Sequence, residues 1–112
     1  MKRFSIALAL SAFVISLAIT PAVAQSAADN YKARCQMCHG ATGAGDAPMG
    51  KKLNVHDFHS DVVQKKSDGE LFTIIRDGVT TSGKVTMPSS KGKLNDDQIH
   101  DLVKYVRELG KK

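Results

Sequence analysis

Cys35-Gln36-Met37-Cys38-His39 is the stretch on which the reading of this chain turns. Two thiols separated by two residues and followed at once by an imidazole form the pattern that attaches a c-type haem. The thiols add across the porphyrin vinyl groups as thioethers, the two-residue spacer matches the separation of those vinyls, and His39 is left beneath the iron. A neutral imidazole binds iron through one ring nitrogen while a hydrogen bond to the other fixes its orientation. Cys35 and Cys38 are therefore the expected covalent attachment points of one haem c, and His39 its proximal iron ligand.

Three other readings of the same five residues compete. A thioredoxin-like dithiol belongs beside a strand-helix-strand pattern, and none surrounds Cys35 and Cys38. A structural zinc site needs four ligands, and there is no second cysteine pair; His39 with His56 or His59 would have to complete it. A plain disulfide is the bland alternative in a small exported domain.

Working outward, Met1 to Ala24 has the form of a secretory signal. Lys2 and Arg3 make its charged start, the apolar run from Phe4 to Ile19 its middle, and Ala22-Val23-Ala24 a small-residue cleavage site. Serines at 5, 11 and 16 and the Thr20-Pro21 stop leave that run short of the roughly 20 residues that span a bilayer. The expected organisation is a removed signal over 1–24 and one domain over 25–112, soluble and periplasmic, with no later membrane span. Losing Lys2 and Arg3 lowers the formal charge from +5 to +3, only mildly basic. A domain of 88 residues has a marginal core unless a cross-link or cofactor adds apolar contact. With Tyr31, Phe58, Phe72 and Tyr105 its only aromatics, it has room for a porphyrin.

Ser26 as cap and Asp29 in the first turn predict a helix from Ser26 to Arg34 leading into the motif, with Ala27, Tyr31 and Cys35 stacked on one face. Tyr31 reads as a core aromatic. The glycines from Gly40 to Gly50, with Pro48 among them, predict a loop that passes close to the haem edge and offers a carbonyl to the second His39 nitrogen, with Pro48 a candidate for it. Residues 51–66 carry no clear pattern; Lys51, Lys52, Lys65 and Lys66 read as a solvated face, with docking to an acidic partner as the alternative. Ser67-Asp68-Gly69-Glu70 is a capping box that opens a helix ending near Asp77 and Gly78. Thr80 to Ser90 is non-helical and presents Met87 before Pro88. A thioether is a soft ligand that raises the potential of histidine-ligated iron, against the plain reading of a methionine filling a core gap. Met37 is trapped inside the attachment loop and Met49 lies too near His39, so Met87 is the expected distal iron ligand, with His56 or His59 as the bis-histidine alternative. Asn95 and Gln98 cap a last helix whose stripe is Ile99, Leu102, Val103, Val106 and Leu109.

These features resemble a class I c-type cytochrome over nearly all of residues 25–112. The resemblance rests on Ala27 and Tyr31 before Cys35, the attachment motif, the glycine-rich loop with Pro48, Met87-Pro88, and Leu102 and Tyr105 in the terminal helix. It implies an all-α, cytochrome c-like fold of three or more short helices around one covalently bound haem, without a substantial sheet. Ala27 and Tyr31 of the first helix would pack on Leu102 and Tyr105 of the last. The implied function is one-electron transport rather than catalysis, with His39/Met87 ligation. Redox-protein partners are implied, among them membrane respiratory complexes or periplasmic reductases, with a monomeric carrier and no nucleic acid. A five-coordinate haem gas sensor or small peroxidase, or a dedicated electron-donor subunit of a redox enzyme, are the alternatives. Contacts to the haem propionates stay unassigned, because residues 54–66 align with no feature of the family.

Overall fold

Ser26 opens the described part of the chain, which in this computed structural model is residues 26–112; the secretory signal expected over 1–24 lies outside the described residues. The Ser26 hydroxyl accepts the Asp29 amide at 3.2 Å, starting helix α1 (Ala27–Arg34). Cys35 closes α1 through its amide to the Tyr31 carbonyl at 2.8 Å and begins the short α2 (Gln36–His39), so the motif is a second helical turn set at an angle to the first.

The stretch from Gly40 to Gly50, expected to be loop throughout, is corrected by helix α3 (Pro48–Leu53). Pro48 stands at the first helical position. There a missing N–H is one of the donors without an intrahelical partner, and the fixed φ suits the helix, so the proline that argued against a helix starts one. Asn54, at a φ of 53°, ends it. The unassigned stretch beyond supplies one more turn, α4 (Asp61–Gln64).

Helix α5 (Asp68–Asp77) begins where its capping box predicts: the Glu70 amide donates to the Ser67 hydroxyl at 3.1 Å, and the Glu70 carboxylate accepts the Ser67 amide at 2.7 Å. The non-helical stretch after it is an antiparallel hairpin of β1 (Val79–Thr81) and β2 (Lys84–Met87), in register Val79 to Met87, Thr80 to Val85 and Thr81 to Lys84. Its turn, Ser82-Gly83, holds both residues at positive φ, 51° and 78°, the pair whose twist matches two strands joined by two residues. β-Branched Thr80, Thr81, Val85 and Thr86 suit that pleated surface. These two strands are the whole of the sheet among the described residues.

Helix α6 (Asp96–Leu109) carries a second reciprocal box, the Gln98 amide to the Asn95 side chain at 2.8 Å and the Asn95 amide to the Gln98 side chain at 2.9 Å. Its stripe of Ile99, Leu102, Val103, Val106 and Leu109 is buried against Tyr31, Phe58, Val63, Leu71, Ile75 and Leu94. Each such side chain stabilises the fold by about 1.5–3 kcal/mol relative to exposure, an upper bound because unfolded chains already bury some surface. Helix α6 packs on both α1 and α5. The first and last helices meet as the resemblance implies, Tyr31 against Tyr105 at 5.1 Å between ring centroids, with Leu102 buried beside them.

Arg107 is the polar tie of this arrangement. Its guanidinium donates to the carbonyls of Gln64 at 3.1 Å and Lys66 at 2.5 Å and to the Asp68 carboxylate at 3.0 Å, fastening α6 to the turn between α4 and α5.

Candidate functional site

The attachment segment is held from three sides. From within, the buried Tyr31 hydroxyl donates to the Gly40 carbonyl at 2.6 Å, so α1 grips the end of α2 one turn beyond the cysteines. Burial pushes the Tyr31 phenol above its ordinary range and keeps it a donor. From below, α3 lies so close to α2 that a Cβ at Gly50 would fall on the Cys38 carbonyl. No other residue leaves the backbone of one helix free to touch that of the other. From the side comes Phe58, buried, its ring centroid 4.7 Å from that of His39 and tilted by 31°.

Phe58 is seated by the glycine-rich segment. Its amide donates to the Gly43 carbonyl at 2.8 Å, and its ring occupies the space a Gly43 side chain would need. Its own carbonyl accepts from the Gln64 side chain at 2.5 Å. Thus the stretch that lacked a sequence pattern delivers the aromatic wall of the histidine.

The chemistry of these groups suits a metal cofactor rather than a redox dithiol. Burial pushes the Cys35 thiol up to about 11, with Arg34 opposing and Cys38 adding to the rise. A dithiol that exchanges with disulfides works through a lowered pKa, the opposite direction. Desolvation lowers the His39 pKa, which keeps the imidazole neutral and its lone pair available. Its Nδ1 is buried without a hydrogen-bond partner, so the candidate bond to the Pro48 carbonyl is not formed. Pro48 sits instead at the start of α3, where its carbonyl belongs to that helix. With Nδ1 turned inward, Nε2 is the nitrogen left to meet a metal. Among the described residues no group of three or more histidine, cysteine, aspartate or glutamate side chains is placed to hold a metal ion.

The remaining ligand candidates are placed differently from one another. Met87, at the end of β2, is partly buried and packs against the core, whereas Met37 is 74% exposed and Met49 40% exposed. His56 is exposed. His59 is engaged with Asp57, ring Nδ1 to carboxylate at 2.6 Å, and its backbone amide and ring together hold the Asp57 carboxyl below its ordinary value. Among the lysines, Lys65 forms an exposed pair with Asp61 at 3.5 Å, as a solvated face would.

A family model described as "Cytochrome C oxidase, cbb3-type, subunit III" matches residues 22–106. The chain is a c-type cytochrome.

The cytochrome is 30% identical over 82 residues to a protein named cytochrome c6 from Leptolyngbya boryana, an alignment covering 73% of this chain and 87% of the relative. Among solved structures it superposes on the KustC0563 c-type cytochrome with a TM-score of 0.64 and 29% identity, covering 75% of this chain and 96% of the other. Membership makes it an electron-transfer protein rather than an enzyme, with covalently attached haem c and a cytochrome c-like fold. The half-buried imidazole, its Nδ1 turned inward, and the two thiols on adjoining helical turns fit that group. Among the described residues of the cytochrome no helix is long and apolar enough to cross a membrane.

Phe58, Gly50 and Arg107 were not legible as site-building residues. Phe58 had one usable signal, being one of four aromatics in a domain short of them. Arg107 had none, since its strongest partners are backbone carbonyls 41 and 43 residues earlier.

Proposed function

We propose that this cytochrome is a one-electron carrier of the bacterial periplasm, exported by the signal at residues 1–24, with His39 and Met87 as the axial ligands. When bound, haem c supplies an iron that alternates between Fe(III) and Fe(II). The chain's own residues do the rest. Cys35 and Cys38 tether the group to α2, so ligand geometry is inherited from helix geometry. His39 is held neutral by burial and flanked by Phe58, while Met87 approaches from a strand fixed to the end of α5. A nitrogen and a thioether that both stay in place between oxidation states let an electron pass without ligand exchange, and the soft sulfur favours the reduced state.

The observation that carries His39/Met87 ligation is the contrast among methionines: of the three in the described residues, Met87 alone packs against the core. The test is the weak charge-transfer band that sulfur ligation gives ferric haem at the red edge of the visible spectrum. The holoprotein should show it, Met87→Ala should lose it, and Met49→Ala should keep it. A wild-type spectrum without the band, together with ready binding of carbon monoxide, would replace the carrier with a gas-binding or peroxidase function. The oxidase-subunit description of the matching family supports a respiratory complex as partner, and co-purification with such a complex separates a resident subunit from a free carrier.

A further inference from the structure

The chain just after Met87 is bonded to the last turn of α5. Ser89 donates its hydroxyl to the Arg76 carbonyl at 2.6 Å. The Ser90 amide is shared between the Ile75 and Arg76 carbonyls at 3.2 and 3.1 Å, and the Lys91 amide reaches the Arg76 carbonyl at 3.1 Å. The last turn of a helix leaves carbonyls without intrahelical donors, and here the segment carrying Met87 takes them in place of water. Ser89 is the centre of the turn, because its oxygen also accepts the Lys91 amide at 3.1 Å while its proton goes to Arg76. Met87 itself, the last residue of β2, pairs with Val79, two residues beyond the end of α5. Met87 is therefore paired beside one end of α5 and followed within two residues by a second attachment to that same end, and the helix is itself fixed to α6 through the buried Leu71 and Ile75.

We propose that Ser89 is a positioning residue for the sixth ligand: by capping α5 it holds the Met87 thioether at a set offset and so biases the bound over the detached methionine. The inference rests on Met87 ligation. A hydroxyl is needed because one atom must accept from Lys91 and donate to Arg76; threonine retains both functions and alanine neither. Loss of one net hydrogen bond changes a local equilibrium on the order of fivefold.

The experiment is a titration of the ferric holoprotein with imidazole, which occupies the sixth position only when the methionine is off. Its apparent affinity therefore scales with the detached fraction. Ser89→Ala should bind imidazole about fivefold more tightly than wild type, and Ser89→Thr should return to the wild-type value. Ser67→Ala is the control, since it removes a comparable hydrogen bond at the opposite end of the same helix. It should leave imidazole affinity unchanged. Wild-type affinity in Ser89→Ala, or an equal rise in Ser67→Ala, overturns the role of Ser89. The ligand assignment is read separately in Met87→Ala: imidazole binding no tighter than wild type there would dismiss Met87, and the inference with it.

Discussion

Replacing Gly43 with alanine should test whether the wall beside His39 is packed as tightly as it stands. Two costs can be separated. Gly43 has a φ of 78°, and a residue with a side chain pays about 1–2 kcal/mol in that left-handed region. The added Cβ would also lie 3.0 Å from Phe58 Cγ and 3.2 Å from Cε2, a collision the ring cannot leave freely while the Phe58 amide stays on the Gly43 carbonyl at 2.8 Å. Overpacking of this kind costs about 1–3 kcal/mol more. The single variant should thus lose about 2–5 kcal/mol. With Phe58→Ala as background the collision is gone, and Gly43→Ala should cost only the backbone part, about 1–2 kcal/mol. Phe58→Ala alone removes about 3–5 kcal/mol, so all four proteins are best unfolded in urea with the same stabilising osmolyte present. The cycle should show about 1–3 kcal/mol of coupling. Additivity within about 0.5 kcal/mol would refute the packing of Gly43 on Phe58 and leave the imidazole wall unexplained.

Arg107→Met should lower stability by about 2–3 kcal/mol, because two half-buried charged hydrogen bonds to carbonyls go while the exposed pairing with Asp68 contributes little. In a domain of this size that is a fall of about 10–20 °C in Tm, and Arg107→Lys should recover only part of it, since an ammonium cannot fork between the carbonyls. Gly50→Ala should reduce the yield of covalently loaded protein, read as haem stain on a denaturing gel, because neither backbone can give way; a wild-type yield would mean α2 and α3 are less closely packed. Glu70 tests the pH dependence. The Ser67 backbone amide holds its carboxyl below the ordinary 4.5, so the folded state is favoured above pH 4.5 and loses that advantage as pH falls through the lowered value. Wild type should therefore exceed Glu70→Gln in Tm at neutral pH, and the gap should close in acid; a gap independent of pH would contradict the charge-assisted cap.

What the sequence determined by itself were the features whose physics is local. Cys35, Cys38 and His39 are fixed relative to one another by five consecutive residues, and Ser67 with Glu70 and Asn95 with Gln98 complete their boxes within a single turn. The stripe on α6 was visible because a helical period repeats through it. Only the tertiary structure decided how α3 begins, since proline reads as a breaker until the chain is known to enter a helix there. It also decided what faces His39. Phe58 lies 19 residues beyond the histidine in a stretch with no period, and it reaches the imidazole because Gly43 makes room and Gln64 holds its carbonyl, contacts across chain separations that no local pattern records. The same holds for Met87: a soft thioether sulfur is a property of the residue, while its placement beside α5 comes from hydrogen bonds that join Ser89, Ser90 and Lys91 to a helix end thirteen to fifteen residues earlier. Donor chemistry is carried by side-chain type and close spacing, but the placement of those side chains is a sum of long-range contacts that exist only once the helices have packed.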